Sequence, residues 1–454
     1  MASRSINDAL PTEVLSRVFS CVSLAELVTV MPVCKRWNEL VIAHPTYWSD
    51  IVLLDSRPSA IDFFLRRIHR AGVRVIKVDV QFLDATAAIP RTLPTLSIHL
   101  WHMKSLTLAV HISYAEAVLS YLCSPAPELE RLNLAFANSA FDPVTGERHP
   151  IAIVPGTSLP VLRPLTLGGN APKLLCLGLH AVNLPDKPLV CFANVQFLLY
   201  SFMFSPDSIA SDVLRHFPSL KHFHAGPRVR ITSTAIRDWV KLEEFMCCLD
   251  TFTAVPRWLD LARVLPHLII RDLGHDLDSL AAGLSSDLGL RLTAVGRTTG
   301  QPSLILSDMN STRLRETHFW DAVSEYAVNT TVLFAVTSFL GDRLVTLSLP
   351  IVAMPLIQFD TRHLPSLMEL EIIVSPEHTD LTQVASPAAP FRVPALGELR
   401  ILATSPELYS EAIRTVAAED FVLEGLEGVI LPVRVVVRGI AFVGEWRDPC
   451  PLTM

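Results

Sequence analysis

One pattern of apolar residues, apolar-x-x-apolar-x-apolar, recurs ten times along this 454-residue chain. It stands at Val75-Val78-Val80, Met103-Leu106-Leu108, Leu129-Leu132-Leu134, Leu174-Leu177-Leu179, Val195-Leu198-Tyr200 and Leu220-Phe223-Ala225. It returns at Leu242-Phe245-Cys247, Leu344-Leu347-Leu349, Leu367-Leu370-Ile372 and Leu396-Leu399-Ile401. Counted at the middle residue, successive copies lie 28, 26, 45, 21, 25, 22, 102, 23 and 29 residues apart. The closing apolar-x-apolar of each copy has the period of a strand with one buried face. Self-similarity at this spacing marks stacked units that cannot bury an apolar face alone.

Two gaps break the rhythm. The 45-residue step holds a stretch rich in proline and glycine, Asp142 to Asn170, read as an insertion or a degenerate unit. The 102-residue step is expected to hide three or four poor copies around Leu265 to Leu273, Leu288 to Val295 and Leu314 to Phe319. Pro-x-Leu openings recur at Pro127, Pro172, Pro218, Pro365 and Pro394. From Val73 to Ile430 the body resembles an irregular leucine-rich-repeat solenoid, although the asparagine or cysteine of the standard repeat is mostly missing. The resemblance implies a parallel sheet of short strands with helices or irregular segments behind it. The other reading is a large α/β or β-rich domain in which such runs coincide. Val433 to Val437 and the stretch through Trp446 are expected to form a C-terminal cap.

The first fifty residues read differently. Pro11 is suited to the first position of a helix, and Leu10, Val14, Leu15, Val18 and Phe19 fall on one face. Ser23 and Glu26 form a capping box for a second helix carrying Leu24, Leu27, Val28, Val30 and Met31. Pro32 starts a third, with Val33, Trp37, Leu40 and Val41, which ends at His44-Pro45. Three helices this short are unstable alone, and their apolar residues exceed what mutual packing hides, so a partner surface is expected. The linking helix carries the stripe Ile61, Phe64, Leu65 and Ile68, with Asp62, Arg66, Arg67 and Arg70 opposite and Ala71-Gly72 as its stop.

The N-terminal stretch resembles an F-box of the compact kind common in large fungal families. The elements that match are Leu10, Pro11, Glu13, Val14 and Leu15, then Val18 and Phe19, then Val33, Cys34, Lys35, Arg36 and Trp37, then Pro45 and Trp48. Tyr47 departs from a position where leucine is common. The resemblance implies docking, through Leu10, Pro11, Val14, Leu15, Val18, Phe19, Leu27, Val33, Cys34, Trp37, Leu40 and Trp48, onto the small helical adaptor of cullin-RING ubiquitin ligases. The expected fold class is therefore α/β. An F-box spans residues 1–55, a linker helix 56–72, a repeat solenoid 73–430 and a cap 431–454.

Composition bounds the remainder. Half of the residues are hydrophobic and 18% are charged, below the ordinary quarter, so the chain must bury much of itself or stay bound to something. No run is long and apolar enough to cross a bilayer, and the amphipathic start with Glu13 and Arg17 does not read as a secretory signal. Eight cysteines at irregular positions without Cys-x-x-Cys fit a reducing compartment, cytosol or nucleus. Phosphate-loop, dinucleotide, nucleophile-elbow and helical-zinc motifs are missing, so no catalytic residue, cofactor or metal is assigned. His222 and His224 share a strand face without supporting ligands. A net charge of −7 and a pI of about 6.1 disfavour nucleic acid.

The expected role is substrate recognition in a ubiquitin ligase, with an unidentified protein substrate; the alternative is a repeat scaffold acting outside a ligase. Side chains between the buried positions of each copy are expected to face outward. Among them Phe197, Leu199, His222, His224 and Met246, with Glu369 and Glu371, form the candidate substrate face, suited to an apolar anchor flanked by basic residues.

Overall fold

The computed structural model describes residues 10–82, 88–141, 148–151, 158–202, 209–211, 213–226, 229–231, 239–248, 258–271, 281, 284, 287–293, 303–318, 341–350, 364–374, 391–403, 416–417, 426–427, 434–438 and 442–443. The protein is a mixed α/β chain of two compact units, Met1–Ser233 and Thr234–Met454.

The N-terminal unit opens with α1 (Thr12–Phe19), α2 (Leu24–Val30), α3 (Lys35–Ala43) and α4 (Pro45–Ser49). Pro11 has extended ψ and caps α1 from outside, so the helix begins one residue later than the sequence suggests. The capping box of α2 is present: Glu26 N–H donates to Ser23 Oγ at 3.4 Å, and Ser23 N–H donates to Glu26 Oε2 at 2.6 Å. The Ser23 backbone bond, the larger effect, holds the Glu26 carboxyl below its usual range. The third helix starts at Lys35 with Cys34 as its cap, leaving Val33 in the preceding turn.

Strand β1 (Asp50–Leu53) follows α4 directly and pairs in parallel with β2 (Ile76–Phe82) across α5 (Pro58–Ala71). Gly72 at φ 62° stops α5, in the left-handed region that favours glycine. Then come α6 (Ala88–His99), β3 (Met103–His111), α7 (Ala115–Tyr121), β4 (Arg131–Phe141), β5 (Arg148–Ile151), β6 (Cys176–His180) and β7 (Phe197–Ser201). After β8 (Ile209–Ser211), α8 (Val213–His216) and β9 (His222–Ala225), β10 (Val229–Ile231) pairs in parallel with β8. The main ladder β1-β2-β3-β4-β6-β7-β9 is parallel throughout, while β5 folds back antiparallel on the end of β4. That hairpin occupies part of the expected insertion; residues 142–147 and 152–157 lie outside the described residues.

In the C-terminal unit β11 (Glu244–Cys248), α9 (Trp258–Val264), β12 (His267–Arg271), β13 (Leu288–Thr293), β14 (Ser303–Asp308) and β15 (Leu314–His318) precede β16 (Leu344–Pro350) and β17 (Glu369–Val374). β18 (Phe391–Arg392), β19 (Glu398–Ala403), β20 (Val416–Ala417), β21 (Leu426–Glu427), β22 (Arg434–Arg438) and β23 (Phe442–Val443) complete it. β18 pairs with β21 and β20 with β23. Where three or four poor copies are expected, near 265, 288 and 314, strands β12, β13 and β15 stand. Their order is not the chain order, because β14 lies antiparallel between β13 and β15. From β16 the parallel ladder resumes through β17, β19 and β22. The run expected as a cap thus extends the sheet; Trp446 lies outside the described residues.

Of the thirty apolar positions in the ten copies, all but Val75 are buried. A turn recurs ahead of them. The amides of Leu129, Leu174, Val195, Leu220, Leu242, Leu367 and Leu396 donate to the carbonyls of Ala126, Ala171, Phe192, Phe217, Trp239, Leu364 and Val393, three residues earlier. Each of those seven acceptor residues is itself buried, a fourth apolar position that the sequence pattern did not show. At about 1.5 to 3 kcal/mol for each large side chain buried, this column dominates the stability of the sheet.

A buried arginine anchors each unit. Arg67 was expected on the outer side of α5 but is 3% exposed. Its guanidinium donates to the carbonyls of Tyr47 and, at 3.1 Å, Asp50, and lies over the rings of Tyr47 (5.0 Å) and Phe63 (5.8 Å). Arg315 donates to the carbonyls of Ala262, Leu265 and Pro266 at the end of α9. Burial lowers its pKa to about 10.

Candidate functional sites

The four N-terminal helices divide the expected adaptor contacts into two sets. Leu15, Phe19, Leu27 and Trp48 are buried within the chain rather than on its surface. Phe19 meets the rings of Trp37 at 5.6 Å and His44 at 6.2 Å, and the Trp48 indole N–H donates to the Ile42 carbonyl at 2.5 Å. Short helices can form only around such a shared core. Leu10, Cys34, Trp37 and Leu40 are half-buried. Pro11, Val14, Val18 (51% exposed) and Val33 (55%) face outward, joined by Val28 and Ile42, which the sequence reading did not single out as contacts. Val14 and Val18, four residues apart, share a face of α1. Arg36 Nη2 donates to the Leu10 carbonyl at 2.7 Å and so ties α3 to the start of α1.

The positions expected to face outward from the sheet fall into rows. In the N-terminal unit one row runs Asp50, Lys77, Ser105, Arg131, Cys176, Phe197, His222, and the next Val52, Asp79, Thr107, Asn133, Gly178, Leu199, His224. Phe197, Leu199, His222 and His224 are half-buried, and the Phe197 ring stands edge-on to His224 at 4.7 Å. Lys77 Nζ pairs with Asp50 Oδ1 at 3.3 Å, and Asp79 accepts from Gln81 Nε2 at 3.0 and 3.2 Å. His180 Nδ1 lies 2.6 Å from the buried Ser201 Oγ, and desolvation lowers the pKa of that imidazole.

In the C-terminal unit Met246 is half-buried, and His267 lies between Glu244 (3.1 Å) and Glu316 (3.4 Å). Glu369 and Glu371, expected to flank an apolar anchor and take basic residues of a substrate, have basic and hydroxyl partners within the chain. Glu371 Oε1 accepts from Ser348 Oγ at 2.7 Å and pairs with Arg291 at 3.4 Å, and Glu369 pairs with Arg400 at 3.5 Å. Arg400 also donates to Glu398 at 2.7 Å, the main reason its pKa is raised. Ser348 and Glu371 are register partners on β16 and β17, Arg291 reaches Glu371 from β13 on the far side of β16, and Arg400 of β19 reaches Glu369 on the neighbouring β17.

No helix among the described residues is long and apolar enough to cross a membrane. No curated protein matches the chain. Residues 7–54, by contrast, match the family model described as F-box-like, and F-box domains generally bind small helical ligase adaptors and are generally non-catalytic. Residues 7–54, which hold the four short helices and strand β1, are an F-box-like domain.

Proposed function

We propose that this protein is the substrate-recognition subunit of an SCF-type ubiquitin ligase in the cytosol or nucleus. Its F-box docks on the adaptor, and through it on a cullin scaffold, while a leucine-rich-repeat-like solenoid holds a target protein. The observation that carries the reading is the continuity of the F-box-like domain with the sheet. Residues 50–53 of the matched segment are strand β1, paired residue for residue with β2, and Arg67 of α5 fastens α4 to the same strand. A target held on the N-terminal sheet therefore has a fixed bearing relative to the adaptor-binding helices. Apposition of this kind raises effective concentration at the ubiquitin-charged enzyme without any chemistry by this chain.

The adaptor contact is assigned to Leu10, Pro11, Val14, Val18, Val33, Cys34, Trp37 and Leu40. The assignment is supported by their exposure or partial exposure on one small domain and by the family match. Co-expression with the adaptor tests it. Wild-type chain is expected to co-purify stoichiometrically, and Leu10→Ala with Pro11→Ala to weaken binding tenfold or more. Unchanged co-purification of the double variant rejects the assignment, and no co-purification of wild type favours the scaffold reading.

A further inference from the structure

The charges on the N-terminal sheet face are unequally satisfied, and this bears on what the face receives. Lys77 is neutralised by Asp50 across the β1–β2 pair, and Asp79 is held by Gln81. Arg131, at the start of β4, is exposed, and its side chain makes no hydrogen bond or ion pair among the described residues. Its ladder neighbours in the same row, Ser105 and Cys176, carry no countercharge. Leu132 beside it is fully buried, so Arg131 stands on the polar side of the sheet with Asn133.

Two strands away, β7 presents Phe197 and Leu199, both half-buried, with His224 against the Phe197 ring. The intervening strand β6 contributes only Cys176 and Gly178 to this face. Gly178 adds no side chain, and the Asn133 side chain leans over it, its Oδ1 2.5 Å from where a Cβ would stand. A cationic point and an apolar patch are thus separated by a low strip. Adjacent strands lie about 4.8 Å apart, which puts the two about 10 Å from one another, and a polyproline-II stretch covers that in one turn of three residues at about 3.1 Å each.

Resting on the receptor reading above, the geometry points to a substrate segment that crosses the N-terminal sheet as a polyproline-II stretch, in which side chains three residues apart share one face. It carries an aspartate or glutamate over Arg131 and an apolar side chain, three residues away, against Phe197 and Leu199. The charge complementarity is specific to Arg131, since Lys77 already has its carboxylate. A nucleic acid is the weaker occupant: Asp50 and Asp79 share the face, and the chain has a net charge of −7.

The test uses the full chain co-expressed with the adaptor and immobilised, against a displayed library of random twelve-residue peptides. Selected sequences are expected to place Asp or Glu three residues from Leu, Ile, Phe or Met. A labelled peptide of that pattern should bind about fivefold or more weakly to Arg131→Glu, and more weakly at high salt. Library selection on Arg131→Glu should shift to Lys or Arg at the acidic position, and Arg131→Gln should lose the preference altogether. Phe197→Ser should remove the apolar preference while the acidic one persists. Selection without an acidic preference, an acidic preference that survives Arg131→Glu, or a single-stranded oligonucleotide displacing the peptide would each overturn the inference. Adaptor co-purification is read in the same samples. Its loss in wild type rejects the receptor reading, whereas retained adaptor binding with no acidic selection rejects only the assignment of the face.

Discussion

Replacing Arg67 by methionine isolates the bond between the F-box-like domain and the sheet. Methionine keeps most of the stem volume but removes the donors to the Tyr47 and Asp50 carbonyls. A buried acceptor left without a partner costs about 1–3 kcal/mol, and the lost contact of the guanidinium with two aromatic rings about 0.5–2 kcal/mol. Opposing this, methionine escapes the desolvation that lowers the Arg67 pKa in the folded chain. The net expectation is a loss of about 2–4 kcal/mol, confined to the junction. Hydrogen exchange followed by mass spectrometry reads this locally: amides in peptides covering residues 45–54 should exchange roughly 30- to 700-fold faster. Those near β6 and β7 should be unchanged. Arg67→Lys should fall between, since an ammonium cannot reach both carbonyls with the geometry of a guanidinium fork. Unaltered exchange over residues 45–54 in Arg67→Met would refute the claim that this side chain fixes the junction.

Further outcomes follow from the same geometry. Val18→Asp combined with Val33→Asp should weaken adaptor binding at least tenfold at an unchanged urea midpoint, whereas Leu15→Ala should cost about 2–5 kcal/mol of stability because that residue is core. Gly178→Ala should destabilise by about 1–3 kcal/mol through the clash with Asn133 Oδ1, and Asn133→Ala in the same chain should restore most of the loss, as a urea titration would show. The pKa of His99 is lowered from 6.5 by burial first, then by His102 and His69, with which it forms a chain of ring hydrogen bonds at 3.0 Å ending on the Arg74 carbonyl at 2.6 Å. The folded state therefore favours the neutral ring. Its stabilising contribution is complete above pH 6.5 and declines as pH falls through the lowered value; urea midpoints at pH 7.5 and 5.5 should show the decline, and His99→Gln should reduce it.

Much of the fold is written in local periodicity. The repeated apolar signature fixes which residues are buried and, by alternation, which share the open face; the rows from Lys77 to His222 and from Asp79 to His224 follow from it because parallel strands in register keep like positions side by side. The capping box and the glycine stop of α5 are equally local, each depending on one turn of backbone. Other features arise only when distant segments meet. Arg67 reads as a solvated charge beside an apolar stripe until α5 lies against the carbonyls of α4 and β1. Leu15 and Val18 carry the same kind of side chain on one helix, and only the packing of α1 on α3 makes one core and the other surface. Glu369 and Glu371 pair with arginines up to 80 residues away, while no carboxylate among the described residues pairs with Arg131. Sequence alone thus determined the strands of the ten repeated copies, their buried side and the F-box-like helices, since these depend on neighbours within a few residues. Which charges are spent and which remain for a partner was decided by the tertiary structure, because ion pairing depends on distance in space rather than along the chain.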